Sequence, residues 1–108
     1  MILSKSLCAT VVVGMISLPA LADCTLPPAP SKIPDGAAAS EQEMISAMQT
    51  LKAYNGDVDV YLKCLEFETK QNRLSSDEHA KKHNSAVAQL EKVAAKFNEQ
   101  VRAFKAKG

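Results

Sequence analysis

Two apolar stripes, one in each half of the chain, mirror each other and limit the fold more than any other feature of the sequence. After Ser40 the apolar or small positions come at alternating steps of four and three: Met44, Met48, Leu51, Asn55, Val58, Leu62 and Leu65. After Ser75 the same rhythm runs through Ala80, His83, Val87, Leu90, Ala94, Phe97, Val101 and Phe104. This spacing places each set on one side of an α-helix. Folding the chain back at 73–75 sets Leu65 opposite His83, Leu62 opposite Val87, Val58 opposite Leu90 and Asn55 opposite Ala94. It continues with Leu51 opposite Phe97, Met48 opposite Val101 and Met44 opposite Phe104, the two numbers keeping a constant sum to within one. Matched layers of this kind predict an all-α antiparallel two-helix hairpin with one seam and a short loop. Asn55 on that seam either fixes the register or is small enough to be tolerated.

Both helices carry their own start signals. Ser40 with Glu43, and Ser75 with Glu78, have the spacing of a capping box, in which the hydroxyl accepts the amide three residues on. The helices are expected over about 41–72 and 76–105. Asn55-Gly56-Asp57 read alone is a turn signal. Periodicity keeps its phase on both sides, so it reads as a weak point inside one helix.

The first 22 residues read as a secretory leader: Lys5, an apolar run over 7–18, then Ala20-Leu21-Ala22 as a cleavage site. The run is shorter than the ~20 residues that a membrane span needs. A lipoprotein signal ending at Cys24 is the lesser alternative, since Asp23 stands where a small residue belongs. Cleavage of 22 from 108 residues leaves one small domain of 86, exported to the periplasm or beyond. With Lys5 gone, 12 Lys and Arg face 12 Asp and Glu, a balance that argues against nucleic acid as a partner. The basic stretch 92–108 leaves contact with a membrane surface as a minor alternative.

Cys8 leaves with the leader, and Cys24 and Cys64 remain. In an exported chain they predict a disulfide, within one chain or between two. An intramolecular bridge across about 40 residues is worth ~4 kcal/mol on loop-closure grounds, a large share for a domain this thin. No Cys-x-x-Cys supports a redox role.

Residues 23–39 hold Pro27, Pro28, Pro30 and Pro34 and read as an extended segment, with a type I turn of Pro34 at its second position and Gly36 at its fourth. A bridge to Cys64 would lay this strap along the first helix, placing Leu26 and Ile33 on the outward stripe of Val60, Cys64 and Phe67. The lengths allow it: ~36 Å of helix from Ser40 to Cys64 against ~50 Å of extended strap.

Candidate chemistry is sparse. His79 and His83 stand one turn apart, a spacing that binds metals. Lys81 and Lys82 between them repel a cation, and His83 falls on the seam. Asp57, Asp59, Glu66 and Glu68 read as solvated helix carboxylates. Neither a catalytic set nor a cofactor motif is visible, so no enzyme and no cofactor are expected. Tyr54, Tyr61, Phe97 and Phe104, with Met44 and Met48, gather toward the open end of the hairpin and are the candidate partner contacts.

Cys24, Pro27-Pro28-Ala29-Pro30, Ile33-Pro34-Asp35-Gly36, Cys64, then His83-Asn84-Ser85-Ala86-Val87 and Phe97-Asn98-Glu99-Gln100-Val101, resemble a group of small exported proteins of Gram-negative bacteria. The resemblance covers the chain after the leader and implies the periplasm and no catalytic activity. The shape is similar to that of periplasmic helical-hairpin chaperones, but their LTxxQ-type signature is missing. The expectation is a protein that acts through contacts with itself or an envelope partner. A metal or small-ligand binder using His79 and His83 is the alternative.

Overall fold

The computed structural model describes residues 24–108; the leader expected at 1–22 lies outside the described residues. Two helices make the fold, α1 (Glu41–Lys70) and α2 (Ser76–Ala106), packed antiparallel with no strand among the described residues. Both caps form as the sequence indicates. The Ser40 hydroxyl accepts the Glu43 N–H at 3.1 Å, and the Ser75 hydroxyl accepts the Glu78 N–H at 3.1 Å. α1 runs through Asn55-Gly56-Asp57 without a break. It ends at Lys70, where Asn72 takes the left-handed conformation (φ 58°) that asparagine tolerates better than most residues. In that turn the Arg73 N–H donates to the Glu68 carbonyl at 3.0 Å.

Cys24 and Cys64 are bonded to each other, with their Cα atoms 5.7 Å apart. The strap that this bond anchors does not follow the outward stripe of α1. Val60 remains 67% and Phe67 50% exposed, and Leu26 is exposed as well. Instead the strap enters the groove between the helices. Ile33 packs against both halves of the core. Residues 29–33 flank Gln89, Lys92 and Val93 of α2, and residues 32–34 flank Glu43, Ala47 and Thr50 of α1. The reason is geometric: Cys64 sits on the flank of α1, between its outer face and the groove. A narrow Pro-rich segment that makes no backbone ladder buries apolar area against two helices in the groove and against only one on the outer face.

With the strap in the groove, both helices bury a row next to the expected one. Those α1 residues buried most deeply are Met44, Tyr54, Val58, Tyr61, Leu65 and Glu68; in α2 they are Ala86, Val93 and Phe97. The expected seam kept Met44, Leu51, Val58 and Leu65 but chose Met48, Asn55 and Leu62 as the second row. The structure buries the row one residue earlier, Tyr54, Tyr61 and Glu68, with Ala47 half-buried at its start. α2 shifts the same way, from Val87 and Ala94 to Ala86 and Val93. Val58 and Leu65, each 1% exposed, form the floor that strap and helices share. Full burial of such side chains contributes about 1.5–3 kcal/mol each.

The far end of the strap is held by polar contacts. The expected turn lies two residues later than the proline suggests: the Asp35 carbonyl accepts the Ala38 and Ala39 N–H groups at 3.0 and 2.8 Å, and Asp35 Oδ1 accepts the Ala37 N–H at 3.1 Å. This is an Asx turn initiated by Asp35. Gly36 is therefore not the end of a turn but the point of contact with α2. Its N–H donates to Gln100 Oε1 at 2.8 Å. The Lys107 ammonium donates to the Ala39 carbonyl and lies 4.7 Å from the centroid of the Phe104 ring.

Candidate protein-contact face

With the strap in one groove, the hairpin has a closed side and an open side. The sequence-predicted contact residues fall mostly on the closed side. Tyr54 (3% exposed), Tyr61 (7%) and Phe97 are buried, and Phe104 is half-buried beneath Lys107. Burial removes Tyr54, Tyr61 and Phe97 from the reach of an incoming partner, which corrects their reading as contact anchors. Tyr54 is the extreme case. Its Oη has no hydrogen-bond partner among the described residues, and burial pushes its phenol pKa up.

The open side presents the row that the strap displaced from the seam. Met48, Leu51, Asn55, Leu90 and Ala94 line a shallow groove of about 580 Å³, with Lys52 and Glu91 on its rims. Asn55 and Ala94 meet here as the matched numbering predicts, but at the mouth of the interface and not inside it. Ile45 and Met48 are exposed, and Leu62, Val87 and Val101 are half-buried. Sequence reasoning assigned most of these residues to the core. The signal of a surplus was present in the stripe, which is wider than one seam of two helices needs.

Toward the loop the open side narrows into a cleft between Asp59, Leu62, Lys63 and Glu66 of α1 and His79 and His83 of α2. The two imidazole centroids are 5.9 Å apart, and His83 Nδ1 is 3.5 Å from Asn84 Oδ1. Both carboxylates have lysine partners on their own helix, Lys63 with Asp59 at 3.0 Å and Lys70 with Glu66 at 3.3 Å. Among the described residues no three His, Cys, Asp or Glu side chains are placed to hold a metal ion together.

One charged group among the described residues is buried, on the closed side. Glu68, 3% exposed, continues the row of Tyr54 and Tyr61 and accepts from Arg73 Nε at 2.6 Å and Nη2 at 3.0 Å. These hydrogen bonds hold the Glu68 carboxyl below its ordinary range; burial opposes them, and the Arg73 charge adds to them. The same guanidinium lies 5.5 Å from the centroid of the Phe67 ring. The pair clamps the loop to the end of α1.

Comparison with family models, curated proteins and solved structures found no match.

Proposed function

We propose that this chain is an exported, non-enzymatic helical hairpin of the bacterial periplasm that works through protein contacts made by its open side. Self-association and an envelope partner are the two forms such contact takes. One observation carries the reading: the apolar groove of Met48, Leu51, Leu90 and Ala94 lies uncovered opposite the strap. An apolar strip rimmed by charged side chains is what a helix-in-groove contact uses. The Cys24–Cys64 bond supports export, since such bonds persist in oxidising compartments. No helix among the described residues is long and apolar enough to cross a membrane. Photo-crosslinking in living cells tests the reading. A photoreactive residue at Met48 should give discrete protein adducts, whereas one at Val60 on the outer face of α1 should not. Adducts from Val60 alone, or from neither, would remove the open side from consideration.

A second reading rests on the His79 and His83 rings facing one cleft. Two imidazoles one turn apart suit Cu²⁺, Ni²⁺ or Zn²⁺. A rise in thermal stability with one of these ions that is lost in His79→Ala would favour it. No rise with any of the three would end it.

A further inference from the structure

We infer that the occupant of the open side is a second copy of this chain, laid on the first about a twofold axis that passes beside the bond between Asn55 and Gly56, so that α1 runs antiparallel to its mate. This rests on the open-side reading above and adds the identity and register of the partner. The argument is the charge order along the open edge of α1. Helical spacing puts Glu41, Met48, Lys52, Asn55, Asp59, Glu66 and Lys70 along this edge.

A twofold axis at the middle of the helix exchanges residues that stand equally far on either side of it. About the bond between Asn55 and Gly56, Lys52 is exchanged with Asp59, and Glu41 with Lys70. Each exchange brings opposite charges together. Lys63 and Glu66 fall opposite the apolar Met48 and Ile45, and all these residues lie at exposed positions. Asp57 falls opposite Tyr54, and Glu43 opposite Glu68; these last two acids lie on the closed side, Glu43 beside the strap and Glu68 buried against Arg73, so no like charges meet along the open edge. A self-complementary surface of this kind is what a twofold interface requires, because one patch must serve both sides. Asn55, at the centre of the groove, stands at the axis, where a single polar residue is a known device for fixing helix register. The two open grooves would then cover each other and close a four-helix arrangement with a strap on each outer side.

Lys52 and Asp59 are about 10 Å apart along one helix, two turns, at 1.5 Å per residue. They therefore cannot pair within a chain, and a charge exchange between them reads the contact between copies. The experiment is native mass spectrometry, with light scattering after size exclusion, on the disulfide-intact chain without its leader. It compares the wild type, K52E, D59K and the double variant K52E/D59K, each checked for unchanged helicity. The expected result is a dimer in the wild type. Each single reversal should weaken it by about tenfold or more, because symmetry repeats the clash twice, and the double exchange should restore it.

Two results would overturn the proposal. One is a wild-type chain that stays monomeric at all concentrations; the other is a dimer indifferent to all three variants. A monomer that still forms adducts with a different protein through Met48 in cells would overturn the second copy as occupant and leave the open-side reading standing.

Discussion

Gly36 rests against the backbone of α2 at Gln100, closer than any residue with a side chain could come. A Cβ built on Gly36 would lie 1.9 Å from the Gln100 carbonyl oxygen, 2.8 Å from its carbon and 2.9 Å from the Phe104 nitrogen, all three on rigid backbone. Gly36→Ala is therefore expected to lift the strap from α2 and destabilise the protein by about 1–3 kcal/mol, the range for overpacking a tight site. Gly56 gives the contrast. Nothing lies within 4 Å of its added Cβ. Gly56→Ala should stabilise α1 by roughly 0.5–1 kcal/mol, since glycine inside a helix is entropically unfavourable. Urea denaturation of the two variants should move the midpoints in opposite directions.

The Cys24–Cys64 bond closes a loop with a sequence separation of 40. Replacing both cysteines with serine is expected to remove ~4 kcal/mol, chiefly by freeing the unfolded chain. The polar contacts of Gly36 and Lys107 would still tether the other end of the strap. The double variant should thus unfold at much lower urea, which denaturation followed by circular dichroism will show.

Helix existence, the two caps, the hairpin and the disulfide could all be read from residue spacing, because each depends on local chemistry or on a pattern repeated over many turns. The choice of seam could not. Met48 and Ala47, Asn55 and Tyr54, and Leu62 and Tyr61 are adjacent rows on one helix face, and a two-helix core accepts either. The strap decides between them, because it needs the broad Tyr54 and Tyr61 rings beneath it and the small Ala86 opposite. The rows of Tyr54 with Tyr61 and of Ala86 with Val93 each repeat at seven residues, a signal of a third packed element when read jointly. Gln100 was silent in the sequence, since its role depends on a backbone approach from a residue far away in the chain.

Removing the Tyr54 hydroxyl should not weaken the fold. The oxygen is buried without a partner, so its desolvation is not recovered by a hydrogen bond. Tyr54→Phe keeps the ring and deletes that penalty. Its stability should equal the wild type or exceed it by up to about 1 kcal/mol. A thermal melt that drops by several degrees would show that the hydroxyl makes a contact.

Glu68 predicts the acid limb of stability. Its carboxyl is held below the ordinary range in the folded state. The associated stability is complete above the unfolded value of about 4.3, and it is lost as pH falls from there through the depressed folded value. Glu68→Gln should flatten this part of the pH profile and lower stability at neutral pH, as followed by denaturation between pH 2 and 7.

The placement of the strap is the centre of the structure, because it covers one side of the hairpin and leaves the other open. The chain has two tyrosines, and both lie under the strap. Nitration followed by peptide mass spectrometry reads them individually. In the disulfide-intact protein Tyr54 and Tyr61 should resist nitration under conditions that modify the urea-unfolded chain, and reduction of Cys24–Cys64 should make both reactive. Equal nitration of the intact and unfolded proteins would contradict the strapped groove, and with it the division of the hairpin into a closed side and an open one.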